Sequence, residues 1–201
     1  MRRCLALGAG FSLFAAVAVS GGSLRAQSAT ASSVEKRGEG RAAPHPEQER
    51  EAMLRVAREI MRVARFCALV TRDAATGTSA RTIDPAPPDS AMVVRFVTNP
   101  RSRKVRQLAA DPRVALYYFD ATAQRYATLY GRARAVTNAA EKARRWYEGW
   151  TPFYPERDRH ATLYEVIPDK IEVVSPADGL VGDSLTWATP TIRFPSPRRV
   201  H

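Results

Sequence analysis

The amino-acid sequence predicts a mainly β fold, an antiparallel barrel that is closed or nearly closed and carries flanking helices. The first observation is a series of about six short apolar segments joined by tight turns, which favours a barrel over a parallel sheet. The second is that about three stretches of helical periodicity separate or precede these segments. The third is that the glycine-rich pattern G-x-G-x-x-G of dinucleotide-binding folds is absent from the 201 residues. Together these observations exclude a doubly wound parallel sheet.

Residues 1–26 have the layout of an export signal. A basic start containing Arg2 and Arg3 precedes a small-residue apolar run, and a cleavage point follows Ala26. The protein is therefore predicted to be exported, to the periplasm or the extracellular space, and the paired arginines are compatible with twin-arginine export. The alternative is an uncleaved membrane anchor, because the apolar run is marginally long enough to span a bilayer. After cleavage, no stable membrane span is expected.

The rest of the chain divides into a tether, one folded domain and an extension. Residues 27–46 are rich in Ala, Ser, Gly, Arg and Glu, which predicts a disordered tether. The folded domain is predicted at residues 47–175, followed by a loop-like C-terminal extension at residues 176–201. The domain opens with an amphipathic helix, because apolar residues recur at helical spacing from Met53 to Ala64.

The predicted strands are short runs of apolar, β-branched or aromatic residues bounded by turn signals. They cover residues 66–71, 79–84, 92–98, 114–119 and 126–136, and then 162–167 and 171–174 as a final pair or as one interrupted strand. Gly131, inside the longest run, indicates a bulge or a close backbone approach.

Two further helices are predicted from their capping residues. Ser102 can cap the first, which Asp111 and Pro112 end. Asn138 begins the second, with Glu141 three residues later as the reciprocal carboxylate of a capping box. Their predicted apolar faces consist of Val105, Leu108 and Ala109 in the first helix, and of Ala143, Trp146, Tyr147 and Trp150 in the second.

Composition narrows the classes of function. A formal net charge of +11 suits a phosphorylated ligand or nucleic acid. The sequence has no zinc-finger spacing, no aromatic RNA-binding signature and no uniformly basic helix, so no nucleic acid partner is expected. Cys4 would leave with the export signal, and Cys67 lies in an apolar run that favours a small buried hydrophobe over a nucleophile. The three histidines show no ligand spacing, so no metal site is predicted.

Residues 99–104 form a basic turn between a predicted strand and a predicted helix. Arg101, Arg103 and Lys104 place positive charge beside the Ser102 hydroxyl and the free N–H groups of a helix N-terminus. Such a place suits a phosphate group. A solvated basic turn without a ligand is the alternative, and these features alone do not decide between the two.

The segment FVTNPRSRKVRQLAADPRVAL, residues 96–116, resembles the pyridoxamine 5′-phosphate oxidase-like family of FMN-binding split barrels, and in particular its general stress protein-like branch. The shared pattern is a strand ending in Thr, then Ser-x-Lys at a helix start, then Asp-Pro before the next strand. The strand that contains Arg81 and the LYGRA segment at residues 129–133 match as well, so the resemblance spans roughly residues 51–174. It implies a six-stranded antiparallel split barrel, usually a homodimer with FMN at the subunit interface.

The resemblance also implies the cofactor site. In the family, an arginine on the second strand and a basic pair at the helix start grip the FMN phosphate, which corresponds here to Arg81, Arg103 and Lys104. Ser102 would cap the helix and could also touch the phosphate. The residues that would line the flavin are Thr98 and, through their backbone, Thr82, Ile83 and Val97.

The sequence departs from true pyridoxamine phosphate oxidases in three places. Ala86 stands where those oxidases carry a lysine, and Tyr126 stands where a flavin-contacting glutamine is common. Their C-terminal Trp and Arg pattern is not recognisable around Trp187 and Arg193. Oxidation of vitamin B6 is therefore not the expected reaction.

The function that the resemblance implies is an FMN-dependent oxidoreductase acting on an unknown small-molecule substrate. The alternatives are a non-catalytic protein that binds flavin, deazaflavin F420 or heme, and an interaction domain that kept the barrel but lost the site. The sequence assigns no catalytic residue; Tyr126, Tyr130 and His160 are the weak candidates.

Overall fold

The computed structural model describes residues 46–195, and antiparallel strands form the body of the protein. The strands are β1 Cys67–Asp73, β2 Gly77–Ile83, β3 Val94–Thr98, β4 Arg113–Asp120, β5 Arg125–Val136, β6 Thr162–Val174 and β7 Thr191–Arg193. The α-helices are α1 Pro46–Ala64, α2 Arg103–Ala110, α3 Ala139–Arg144 and α4 Arg157–His160. The seven-stranded sheet has the order β2-β1-β4-β5-β6-β3, with β7 pairing to β6. The mainly β antiparallel prediction is confirmed, with one more strand than expected.

The described residues do not test the predictions for the two ends of the chain. The export signal, and the tether up to residue 45, lie outside the described range, as do residues 196–201. Between residues 46 and 195, no helix combines the length and the apolar character needed to cross a bilayer.

Helix α1 packs its apolar face on the sheet. It begins at Pro46, whose fixed φ suits the first turn of a helix. Its buried residues are Met53, Leu54, Ala57, Ile60 and Met61, which confirms the predicted face and adds Leu54. Burying an aliphatic side chain of this size contributes about 1.5–3 kcal/mol, so this face holds α1 on the core.

Strand register decides which side chains face the core. Arg81 pairs with Leu69, Leu69 with Leu116, and Leu116 with Leu129, across four neighbouring strands. The three leucines are fully buried, so Arg81 lies on the core-facing side of β2, because residues in register share a face of the sheet. The next residue, Thr82, is exposed on the opposite face.

Strand β3 begins at Val94, two residues later than predicted. Met92 has a left-handed backbone with φ of 62°, which an extended strand cannot contain. Asp89 organises this turn, since its Oδ1 accepts hydrogen bonds from the backbone N–H groups of Ala91 and Val93, both at 3.0 Å. The fully buried Met92 side chain anchors the turn against the core.

The predicted apolar face of α2 is partly wrong, and the predicted Asn138 cap of α3 is confirmed. The buried residues of α2 are Gln107 and Leu108, whereas Ala109 is exposed, because the helix turns its polar Gln107 toward β1. At the start of α3, Asn138 Oδ1 accepts a hydrogen bond from the Glu141 backbone N–H at 2.9 Å, as expected of a helix cap.

Helix α3 is shorter than predicted. It ends at Arg144, so Trp146, Tyr147 and Trp150 do not share a helical face. Their rings pack edge to face in the following loop instead, with the centroids of Trp146 and Tyr147 each 5.5 Å from that of Trp150. The Trp150 indole donates a hydrogen bond to the Asp84 carbonyl oxygen at 3.1 Å, which fixes the loop against the residues that follow β2.

The predicted close approach at Gly131 is confirmed. The pairing of β5 with β6 shifts register between Tyr130 and Gly131, and a Cβ at position 131 would collide with the Ile167 carbonyl oxygen. Strand β6 continues through Pro168, opposite Gly131, as one strand. A proline is tolerated there because the ladder is already irregular.

The C-terminal extension, expected to be loop-like, contains the short strand β7. Ile192 pairs with Ile171 of β6 and is buried. Arg50 of α1 donates a hydrogen bond to the Arg193 carbonyl oxygen at 3.1 Å, and its guanidinium lies 5.3 Å from the centre of the Phe194 ring. The extension is therefore tied to both the sheet and α1.

Cys67 is a free, buried residue, in keeping with its predicted role as a small hydrophobe. Burial raises the pKa of its thiol to about 12, so the thiol is protonated at neutral pH and is a poor nucleophile.

A buried carboxylate joins several elements of the sheet. The Glu165 side chain is 4 % exposed, and its Oε1 lies 2.8 Å from Arg95 Nε. Its Oε2 lies 2.6 Å from Arg134 Nη2 and 2.7 Å from Arg145 Nη1. Burial acts to raise the pKa of Glu165, but hydrogen bonds from Arg134 and Arg95 outweigh it, so the pKa lies below its ordinary value. These ion pairs connect β3, β5, β6 and the residue after α3.

We expect Glu165→Gln to lower the free energy of unfolding by about 1.5–3 kcal/mol, because it weakens the charge-assisted hydrogen bonds that Arg95 and Arg134 donate to a buried carboxylate. The loss is limited because Arg95 keeps Asp89 and Arg145 keeps Glu141 as carboxylate partners. Urea unfolding at neutral pH measures the loss. Glu148→Gln is the control, since the Glu148 side chain is 78 % exposed and its ion pair is worth about 1 kcal/mol at most.

The pH dependence supplies a second readout for Glu165. Because its pKa is lower in the folded than in the unfolded state, its stabilisation is complete above the unfolded value and is lost as pH falls through the folded one. The difference between wild type and Glu165→Gln should therefore shrink in acid. Equal stability of the two proteins at neutral pH contradicts the assignment.

Candidate functional site

The predicted phosphate residues come together beside the start of α2, which contacts both β2 and β3, the first and last strands of the sheet order. The turn between β3 and α2 is held by Asn99, whose side-chain oxygen accepts from the Arg101 backbone N–H at 2.8 Å. The Asn99 carbonyl oxygen accepts from the Ser102 N–H at 3.0 Å. Helix α2 therefore starts with Arg103 and Lys104 immediately beside the end of β3.

Arg81 binds neutral acceptors on the core-facing side of the sheet. Its Nη1 donates to Thr71 Oγ1 at 2.6 Å, and its Nη2 donates to Ser79 Oγ at 2.5 Å and to Gln107 Oε1 at 2.7 Å. Arg103 Nη2 donates to the same Ser79 oxygen at 3.1 Å. Ser79 thus joins the guanidinium groups of β2 and α2.

Lys104 binds the end of β3. Its Nζ donates to Thr98 Oγ1 at 2.9 Å, and the Thr98 and Ser102 hydroxyl oxygens are 3.2 Å apart. Ser102 occupies the N-cap position of α2 with an extended backbone, but its side chain makes no capping hydrogen bond. The capping prediction is therefore wrong for the side chain, because the hydroxyl faces Thr98 instead.

Arg81, Arg103 and Lys104, hereafter the cationic cluster, have no carboxylate within salt-bridge distance among residues 46–195. Arg81 and Lys104 are partly buried, whereas Arg103 is exposed. Burial and the neighbouring Arg103 lower the pKa of Arg81, while burial and Arg81 lower that of Lys104. The Asp73 carboxylate, beyond salt-bridge distance, acts to raise the pKa of Arg81, but burial outweighs it. Desolvated charge that is only partly compensated is costly. The cluster is therefore a place where a bound anion would supply the missing charge.

The predicted flavin-lining residues take different positions. Thr98 is buried within the hydroxyl network beside Lys104. The Ile83 side chain belongs to the core, the Thr82 side chain faces outward, and the Val97 side chain packs against the cluster that contains Trp150. The resemblance assigns the backbone groups of Thr82, Ile83 and Val97 to the flavin, and that assignment stays a prediction.

Sequence reasoning missed three neutral members of the network, namely Thr71, Ser79 and Gln107. Sequence spacing could have identified two of them, Ser79 and Gln107. Ser79 lies two residues before Arg81 on the same strand and so shares its face. Gln107 lies four residues after Arg103, one helical turn on the same side of α2. Thr71 follows from the pairing of β1 with β2, where it is opposite Ser79.

The weak catalytic candidates have partners of their own. The Tyr130 hydroxyl donates to Glu172 Oε2 at 3.0 Å, and the Tyr126 ring lies 5.6 Å from that of Tyr117. Both tyrosines alternate with the fully buried Leu129, so they lie on the outward face of β5, opposite to the face of Arg81. No catalytic role follows from these contacts.

Residues 53–175 match the family model described as pyridoxamine 5′-phosphate oxidase, which is more than half of the chain. The chain belongs to the pyridoxamine 5′-phosphate oxidase family. The matched range of this family member runs from α1 to the end of β6 and includes the whole cationic cluster. A search of curated proteins found no match.

Solved structures share the fold at low sequence identity. A Clostridium acetobutylicum protein related to general stress protein 26 of B. subtilis aligns with a TM-score of 0.59 at 16% identity, over 71% of this chain and 95% of that one. General stress protein 26 from Bacillus anthracis gives 0.52 at 18% identity, over 73% and 98%. A heme binding protein from Mycobacterium smegmatis gives 0.52 at 15% identity, over 68% and 56%. The predicted split-barrel fold is confirmed for this family member.

We expect Lys104→Met to leave the stability of the ligand-free protein unchanged or higher. The folded state lowers the pKa of Lys104 from its ordinary 10.5, so below that pH the ammonium charge disfavours folding. We also expect inorganic phosphate to raise the urea midpoint of the wild type more than that of Lys104→Met, which keeps only the non-specific effect of the salt.

Lys170→Met is the matched control, since Lys170 is paired with Glu172 at 2.5 Å rather than lacking a counter-charge. It should keep the phosphate effect. A Lys104→Met protein that is clearly less stable and still responds to phosphate would show that Lys104 is structural.

Proposed function

We propose that this protein is an FMN-dependent oxidoreductase of the pyridoxamine 5′-phosphate oxidase family, acting on a small-molecule substrate. The observation that carries the proposal is the cationic cluster. Two partly buried cations, Arg81 and Lys104, and the exposed Arg103 bind neutral oxygens and lack a carboxylate within salt-bridge distance among the described residues. This is the arrangement that a phosphate monoester would complete. The family match and the split-barrel fold support the same ligand.

The residues present fit the phosphate end of FMN. Arg81 and Arg103 offer planar guanidinium forks, which suit phosphate oxygens, and Lys104 adds a point charge from the other side. The Thr98 and Ser102 hydroxyls supply neutral donors to the same anion. When bound, the flavin supplies the electron and hydride chemistry, and the residues of this chain hold and orient it.

Orientation of the flavin follows from where the phosphate is held. By the family resemblance, the backbone of Thr82, Ile83 and Val97 would hold the isoalloxazine. Orientation by fixed contacts is the protein's main contribution in such a site.

We expect Arg81→Ala to weaken FMN binding at least tenfold, because a charge-assisted hydrogen bond is worth about 1.5–3 kcal/mol. Riboflavin, which has no phosphate, should bind wild type and variant alike. Arg101→Ala is the matched control, since Arg101 is an exposed cation of the same turn. Titration of flavin fluorescence measures each affinity.

The absorbance spectrum of the protein tests the activity itself. Flavin bands that a reductant bleaches and air restores support the oxidoreductase. Equal affinity of wild type and Arg81→Ala for FMN would refute the phosphate site, and a protein with no affinity for FMN would remove the proposal.

A homodimer is part of the same proposal, with the aromatic stripe Tyr117, Phe119 and Tyr126 as the contact surface. Tyr117 and Phe119 are 39% and 49% exposed, and their ring centroids are 6.5 Å apart on the outward face of β4. Exposed, stacked aromatic side chains on a sheet face are typical of a protein interface.

We expect Phe119→Glu to convert a dimer into a monomer, since it buries a charge in the proposed interface. Light scattering coupled to size exclusion measures the mass. Phe153→Glu is the control, because Phe153 is 71% exposed on the loop after α3 and should leave the dimer intact. A Phe119→Glu protein of unchanged mass contradicts this surface.

A protein that carries heme or F420 without turnover is the second candidate. A structure of the same fold is that of a heme binding protein from Mycobacterium smegmatis, and the cationic cluster would also suit heme propionates or the acidic part of F420. A Soret band in place of flavin bands in the purified protein would favour heme.

A further inference from the structure

We propose that the flavin site has a second anion subsite on the outer side of α2, which accepts an anionic group attached to the flavin phosphate. The ligand class is a flavin extended beyond its phosphate, of the flavin dinucleotide type. The inference rests on the proposed flavin site and goes beyond FMN.

A cavity of about 420 Å³ lies against α2 and the turn between β1 and β2. That volume is in the range of ligand sites, about 300–1,000 Å³. Among its lining residues are Arg72, Arg103, Arg106 and Gln107.

The cavity shares its inner wall with the cationic cluster. Arg103 lines the cavity and also donates to Ser79 Oγ, the oxygen that Arg81 binds. Gln107 lines the cavity as well, and its Oε1 accepts a hydrogen bond from Arg81 at 2.7 Å. A phosphate held between Arg81 and Arg103 would therefore be adjacent to the cavity, so a group esterified to it would enter there.

The charge of the lining favours an anion. Arg72, Arg103 and Arg106 stand against one carboxylate, Asp73. The Asp73 carboxylate is already engaged by Gln107 Nε2 and by the backbone N–H groups of Ala75 and Thr76, which together with the nearby charge of Arg103 lower its pKa.

Arg106 distinguishes this subsite from the cationic cluster. Its guanidinium has no ion pair or hydrogen bond in the part of the chain that the structure describes. Arg72 is only loosely engaged, with its Nη1 3.8 Å from Asp111 Oδ2. Both side chains are exposed, and neither belongs to the cationic cluster. They are therefore free to bind a second anion without disturbing the first.

The test compares riboflavin, FMN, FAD and F420 on the full chain, by fluorescence titration. We expect FAD to bind wild type at least as tightly as FMN. The double variant Arg72→Ala/Arg106→Ala should weaken FAD about tenfold, as for the loss of a charge-assisted hydrogen bond, and leave FMN within about twofold. Arg101→Ala, an exposed cation outside the cavity lining, should change neither.

The outcomes separate the two proposals. Weaker binding of FAD alone in the double variant supports a phosphate-bearing extension, and weaker binding of F420 alone supports a carboxylate-bearing one. FMN binding with no effect of the double variant on either extended flavin overturns the subsite and leaves the FMN site standing. Failure of FMN itself to bind overturns both.

Discussion

The ion pairs of Glu165 are the interaction on which the site end of the molecule depends. One carboxylate, almost fully withdrawn from water, holds Arg95 of β3 and Arg134 of β5 against β6. Strand β3 is the last in the sheet order and, among residues 46–195, pairs only with β6, so these contacts reinforce that ladder. The turn into α2 starts from the end of β3, and the position of the cationic cluster is therefore set from this side of the sheet.

The protein uses buried and half-buried arginines in two opposite ways. Around Glu165, cations and carboxylates are matched within hydrogen-bond distance, which suits a structural role. In the cationic cluster, comparable side chains have hydroxyl and amide oxygens as their partners. The second arrangement holds charged groups in place without neutralising them. That difference separates a fold-determining contact from a ligand site more clearly than residue type does.

The charged residues of the candidate site could be predicted from the sequence because most of them are close together along the chain. Arg103, Lys104 and Ser102 are consecutive, and the resemblance placed Arg81 on the preceding strand pair. Of the neutral members, Ser79 and Gln107 could be found from their spacing to Arg81 and Arg103, whereas Thr71 depends on the pairing of β1 with β2, where it lies opposite Ser79. The same limit applies to the fold. The Glu165 pair with Arg95 joins residues 70 positions apart, and strand β7 has three residues, too few to show periodicity.

The Ser79 hydroxyl determines how the guanidinium groups of Arg81 and Arg103 are placed. Its oxygen already accepts from both Arg81 and Arg103, much as a phosphate oxygen would. The Ser79 oxygen therefore holds the two guanidinium groups near each other. For the proposed phosphate, binding would exchange one oxygen for another, and the ordering of these side chains, already completed on folding, would favour affinity.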